Sequence, residues 1–233
     1  MLAPRPLSLA LDGVKAMRQS TKDLNVIGEE LVRCSRPCTG VHCSRRTGHI
    51  PRCLYFEVVG RRGRQGSIVV GLNPGRSSVF QRRYLLERGC TFAAVSSWFV
   101  DHGMRYPYYA HLRRLLDCLG LDGPILWTEL AHCENEAGVA QLPLQTFRTC
   151  TRAFLQRELA LFPEAWPLVA VGTEAYKGLA YRFPERTVIG ASHPTGSRGH
   201  FHSLFKGGRL RSRAAALGRQ ALRTKAAAIW LVA

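Results

Sequence analysis

Ser67-Ile68-Val69-Val70-Gly71-Leu72-Asn73-Pro74-Gly75 is the stretch on which the fold turns. A short apolar run that stops at glycine, asparagine and proline reads as a buried parallel strand emptying into a tight loop. The same device recurs downstream. Pro124-Ile125-Leu126-Trp127-Thr128 gives a second strand, Leu168-Val169-Ala170-Val171-Gly172 a third, and Thr187-Val188-Ile189-Gly190 a fourth. Helical patterns separate them. Residues 110–119 (AHLRRLLDCL) are amphipathic, 144–162 form a long helix closed by Pro163, and Thr173 is placed to cap a helix through Leu179. Strands alternating with helices predict an α/β fold, specifically an α/β/α sandwich around a short four-stranded parallel sheet. Such sheets hold ligands beyond the carboxyl ends of their strands. The loops GLNPG, TELAHC and SHPTGSRGH each follow a strand, so Asn73, Glu129 and His193 are expected to meet around one cleft.

Outward from this core the chain is less regular. Residues 1–33 read as a polar helical leader with Leu24, Ile27 and Leu31 at helical spacing, and residues 34–205 as a single α/β domain. That domain opens on a cysteine- and arginine-rich loop, 34–53. Residues 206–233 form a basic tail, mostly helical, packed on or extending the same domain. From 206 to 225 it carries Lys206, Arg209, Arg211, Arg213, Arg219, Arg223 and Lys225 with no acid. No repeat or low-complexity segment is present.

Charge narrows the partners. The 233 residues include 33 Lys and Arg against 16 Asp and Glu, a formal charge of +17, and all but five of the cations are arginine. With 46% hydrophobic residues the chain is globular and not a disordered basic tail. Such an excess points to a polyanion, most commonly nucleic acid. No run approaches the ~20 apolar residues that span a bilayer, and the apolar patch within Met1–Gly13 is too short for a secretory signal. An intracellular protein without a membrane partner is expected. In that compartment eight cysteines serve as metal ligands or buried apolar groups, not as a disulfide framework. Cys34, Cys38, Cys43 and Cys53 could form a self-contained zinc site of spacing C-x3-C-x4-C-x9-C. Cys90 and Cys118 are expected to be buried.

The loop sequences also carry a resemblance. Gly71-Leu72-Asn73-Pro74-Gly75 resembles the first motif of the uracil-DNA glycosylase superfamily, in the form found in its mismatch-specific and single-strand-selective branches. Ser192-His193-Pro194-Thr195-Gly196 resembles the second motif. Trp127-Thr128-Glu129-Leu130-Ala131-His132-Cys133, followed by Cys150, is similar to the iron–sulfur (family 4) branch. The resemblance runs from about residue 24 to 205. Two departures stand out: Asn73 replaces the alanine of family 4, and Glu129 replaces the asparagine that reads uracil in many relatives.

The resemblance implies a monofunctional DNA glycosylase of base excision repair, monomeric and associated with the nucleoid in the cytoplasm. It would flip a deaminated, uracil-type base from single- or double-stranded DNA and hydrolyse its glycosidic bond. Asn73 would hold the attacking water, His193 would donate to the leaving base, and Glu129 would read the base edge or act in acid/base chemistry. Gly71, Leu72, Pro74, Gly75, Thr195 and Gly196 would line the nucleotide, with Ser197 and Arg198 at the duplex or its phosphates. Tyr106 or Tyr108 would stack on the base, with Phe80, Trp98 and Phe99 as alternatives. A [4Fe–4S] cluster would be held by Cys34, Cys38, Cys133 and Cys150, with Cys43 and Cys53 as alternative N-terminal ligands. Rival readings are a metal-stapled nucleic-acid-binding protein without catalysis, a hydrolase of nucleosides or RNA, and a glycosylase for hypoxanthine or xanthine.

Overall fold

The computed structural model describes the backbone of residues 7–58, 64–137, 139, 141–224 and 226–233, and side chains from residue 19 onward. The first six residues of the leader, and Lys225 of the tail, lie outside the described residues.

In chain order the elements are α1 (Leu7–Val32), β1 (Val41–His42), β2 (Tyr55–Glu57), β3 (Ser67–Gly71), α2 (Val79–Glu87), α3 (Phe92–Asp101), α4 (Pro107–Leu119), β4 (Ile125–Glu129), β5 (Glu134–Asn135) and α5 (Leu144–Cys150). There follow α6 (Gln156–Ala160), β6 (Leu168–Val171), α7 (Thr173–Arg182), β7 (Val188–Ala191), α8 (His200–Ser203), β8 (Phe205–Lys206), β9 (Arg209–Leu210), α9 (Ser212–Arg223) and β10 (Ala228–Trp230).

The protein is mixed α/β. Its central sheet has six strands, in the order β10-β7-β6-β3-β4-β2. Five run parallel, and β2 alone is antiparallel, against β4. The four strands expected from sequence are the middle of this sheet, buried along their whole length. The expectation of four strands is therefore corrected to six. The two additions are short edge strands whose place is set by their neighbours and not by a hydrophobic pattern of their own.

Successive residues of a strand face opposite sides, and the two faces bury separate cores. Ile68, Val70, Leu126, Leu168 and Ala170 join Leu24, Ile27 and Leu31 of α1, Val95 and Trp98 of α3 and Leu179 of α7. Val69, Trp127, Val169 and Ile189 join Leu112, Leu115 and Leu116 of α4, Phe201 of α8, and Ala214 and Ala221 of α9. The leader and the tail thus contribute to the same two cores as the central domain. In α9 the face opposite Ala214 and Ala221 exposes Arg213, Arg219 and Arg223.

Two local expectations are corrected. The helix over 144–162 is not uniform: α5 passes at Thr151 into a π-turn, Thr151–Leu155, before α6. A π-turn inserts an extra residue into the helical ladder and is commonly found beside functional sites; here it directly follows Cys150. Thr173 opens α7 and makes no capping bond, and the chain turns into the helix through Gly172 at φ +90°.

The connections decide where a ligand can lie. From β3 the chain builds β4 on one side, then returns past β3 to add β6 and β7 on the other. Loops leaving β3 and β6 therefore diverge at the carboxyl ends of the strands, the place where sheets of this topology hold ligands. The GLNPG loop sits at that point.

Candidate functional site at the strand ends

At the end of β3, Pro74 is buried, Leu72 and Asn73 are half-buried and Gly75 is exposed. The Asn73 amide nitrogen donates to Asn135 Oδ1 at 2.8 Å, with longer contacts to the carbonyls of Pro74 (3.3 Å) and Cys133 (3.4 Å). Its Oδ1 has no partner among the described residues and remains free to accept.

Glu129 ends β4 directly opposite Gly71 in the parallel register. It is 8% exposed, and no cation lies within ion-pair distance among the described residues, although the protein carries 28 arginines. Its Oε2 makes no hydrogen bond. Burial pushes its carboxyl up to about 8, against the attraction of His132 and Arg52. At neutral pH it is mostly a neutral acid, able both to donate and to accept. The carboxyl lies over Gly71: a Cβ there would fall 2.0 Å from Oε2. Gly71 was expected to admit a nucleotide; in the structure its missing side chain admits Glu129.

His193 follows β7. Its Nδ1 accepts from the backbone N–H groups of Gly196 (3.0 Å) and Thr195 (3.3 Å). Two N–H groups aimed at Nδ1 leave the proton on Nε2, which becomes an outward donor. His193 is exposed at the rim, and the partial desolvation of its ring by its neighbours lowers its pKa, favouring the neutral form. Thr195 and Gly196 are thereby assigned to orienting His193. Ser197 Oγ accepts from the Phe201 N–H at the start of α8, and Arg198 is exposed at φ +49°.

Of the aromatic candidates, Tyr108 reaches the cleft: its ring is 5.3 Å from that of His193, and Glu129 is among the charges that raise its pKa after burial itself. Tyr106 is exposed ahead of α4. Trp98 and Phe99 are core residues, and Phe80 packs on Trp98 and His102. Burial removes Trp98 and Phe99 as stacking platforms, while Phe80 remains mostly exposed.

The cysteines divide. Cys34, Cys38, Cys43, Cys133 and Cys150 line one cavity, closed by Leu31, Val41, Pro51 and Phe154. They arrive from five places: after α1, the following loop, after β1, before β5 and the end of α5. Cys53 does not line this cavity: it is half-buried near Glu129, and burial followed by the Glu129 carboxyl pushes its thiol up. A self-contained zinc site from the four loop cysteines is thus not formed, and Cys53 drops out as an alternative ligand. Cys90 is buried as expected, but Cys118 is exposed.

The cavity suits a metal centre that takes several thiolates. Burial raises Cys38, and raises Cys150 to about 12, so several thiolates together need a cation to offset them. The hydrogen bond from Cys133 brings Cys43 down to about 7. The His132 N–H donates to Cys150 Sγ at 3.4 Å. Behind this wall His132 is fully buried, Nδ1 on the Arg52 carbonyl (3.1 Å) and Nε2 3.1 Å from Glu158. Burial opposes its charge, yet Glu158 raises its pKa overall.

A second group, His42, His49 and Glu134, also brings ligand atoms within 4.8 Å of one another. The imidazoles are stacked at 3.8 Å and 13°. An ion between parallel rings cannot lie in both planes, so this trio could hold a cation only after one ring turns out. Glu134 is already bonded to Arg52 (2.6 Å) and to the Ser77 N–H (2.6 Å).

Sequence reasoning missed Asn135, Arg52 and Glu134. Asn135 lies on a two-residue strand with no pattern to announce it. Arg52 is a buried cation hidden in an arginine-rich loop. No helix among the described residues is long and apolar enough to cross a membrane. No family model matches the chain, and no curated protein matches it.

Proposed function

We propose that the chain is a DNA glycosylase of the uracil-DNA glycosylase type, with an α/β/α core and a resident [4Fe–4S] centre. The observation that carries this reading is the pairing of a free acceptor and a free donor at the crevice. Asn73 offers Oδ1 after β3, and His193 offers Nε2–H after β7.

A base must leave the stack before its glycosidic bond can be reached. Water accepts orientation from Asn73 Oδ1 by donating one hydrogen to it, which turns an oxygen lone pair toward C1′. As the C1′–N bond breaks, its electron pair passes to the base and the water oxygen bonds to C1′. The water proton is released, and the charge growing on a base carbonyl is met by the neutral His193 donor. Tyr108 supplies the ring beside the base, and Glu129, as a neutral acid, offers one donor and one acceptor to its edge. The proposed reaction uses water as the only nucleophile and contains no strand-nicking lyase step. The exposed arginines of α9 serve the backbone, where planar guanidinium groups suit phosphate.

Cys34, Cys38, Cys133 and Cys150 would hold the cluster, with Cys43 as a fifth thiol at the same cavity. When bound, the cluster supplies four metal–thiolate bonds that tie the N-terminal loop to the sheet. Two measurements test the reading. Purified protein is expected to absorb broadly near ~400 nm and to contain iron and sulfide; a colourless zinc protein would contradict the cluster. Incubation with damaged oligonucleotides is expected to release free base and leave an intact strand with an abasic site.

A further inference from the structure

The amide of Asn73 is held with its nitrogen away from the water it would orient. Nδ2 donates to Asn135 Oδ1 at 2.8 Å and faces the Cys133 carbonyl at 3.4 Å. A main-chain carbonyl can only accept, so nitrogen and not oxygen must face Cys133. Asn135 is fixed in the same sense. Its own Nδ2 donates to the Val139 carbonyl at 3.0 Å, leaving Oδ1 as the group it offers Asn73. Neither amide can reverse without losing hydrogen bonds.

Both acceptors come from one small element. Asn135 in β5 pairs with Val41 in β1, and His42 pairs with Glu134. Cys43 follows that ribbon on one side and Cys133 precedes it on the other, and both line the cysteine cavity. The ribbon that fixes Asn73 is therefore the ribbon whose ends reach the thiols.

We propose that Asn135 is a positioning residue: with the Cys133 carbonyl it orients Asn73 so that Oδ1 faces the attacking water, and the β1–β5 ribbon makes that orientation depend on an ordered cysteine cavity. A reversed amide would donate to the water and occupy the lone pair that must reach the sugar carbon. The inference rests on the glycosylase reading, but its physical core, a locked amide, can be measured without catalysis.

The test combines kinetics with the amide itself. Asn135→Leu removes the acceptor at similar volume. Single-turnover base release is expected to fall about 100-fold, as for a misplaced reacting group, with DNA affinity unchanged. The double variant Asn73→Ala/Asn135→Leu should lose no more than Asn73→Ala alone, because Asn135 acts through Asn73; losses that multiply overturn the inference. Asn135→Asp keeps an acceptor facing Asn73 and should recover most of the rate. If Asn135→Leu does not fold, Asn135→Ala takes its place: protection of the Asn73 amide unchanged there overturns the inference. In nitrogen-15-labelled protein the Asn73 side-chain NH2, assigned by its absence from Asn73→Ala, should exchange slowly with solvent, and quickly in Asn135→Leu. Free-asparagine exchange in the unaltered protein would refute the inference whatever the enzyme does. A protected amide with no base released from any substrate would instead refute the glycosylase reading and leave the positioning intact.

Discussion

Asn73 and Glu129 stand at the ends of adjacent strands, yet the protein treats them in opposite ways. Asn73 is half-buried and its nitrogen meets three acceptors within 3.4 Å. Glu129 is more deeply buried and has no hydrogen-bond or ion-pair partner among the described residues. A buried carboxyl without a partner costs stability, and a site retains such a group where a ligand completes it. On the glycosylase reading proposed above, the first corner is finished before substrate arrives and the second is left open for it.

The largest effect should come from removing the finished corner. Asn73→Ala is expected to lower single-turnover base release by about 100-fold or more, while gel-shift affinity for the same DNA is retained. Parallel loss of binding and turnover would mean that Asn73 is only a turn residue. Next comes the opposite lip. His193→Ala removes the donor to the departing base and should cost about 100-fold in rate, in the range seen for loss of one oxyanion donor. His193→Gln, which can still donate, should lose less.

Glu129 is tested through pH. In the unfolded chain it ionises near the usual carboxylate value of 4.5, in the folded chain near 8. Below 4.5 both forms are protonated and burial of the acid carries no ionisation penalty. As pH rises from there to about 8 the unfolded chain releases its proton first, so stability falls across that window and levels off above it. Glu129→Gln should abolish this dependence and unfold at a higher temperature than the parent at pH 8, by a margin on the order of a few kcal/mol in stability. Equal unfolding temperatures at pH 8 would show that Glu129 is ionised and paired. The smallest effect belongs to α9: Arg219→Ala should weaken binding to all DNA sequences alike and reduce the salt slope of log K by about 1. An unchanged slope would place that face away from the phosphates.

The contrast between the two corners also marks what the sequence could convey. The four central strands were legible because each is an apolar run cut off by a polar loop, a pattern that burial on both faces imposes. That Asn73, Glu129 and His193 end such strands followed from the same pattern. The edge strands Tyr55–Glu57 and Ala228–Trp230 carry no such mark, since their place depends on the strand beside them. Cysteine spacing could not separate Cys43 from Cys53: Cys53 has a positive φ, sits near Glu129 and does not line the thiol cavity. Asn135 was invisible because its partners, Asn73 and Val41, are distant in the chain. The solitude of Glu129 was equally hidden: in a chain of 28 arginines, composition alone would have paired it.

We propose that these strand-end residues break a glycosidic bond. Excess cluster-loaded protein, mixed with oligonucleotides that each carry one uracil, hypoxanthine or xanthine, tests it in a single turnover. Free base and an alkali-labile abasic strand are expected from at least one of the three, formed about 100-fold more slowly, or slower still, by Asn73→Ala. Tight, salt-sensitive binding that leaves every base attached would contradict it.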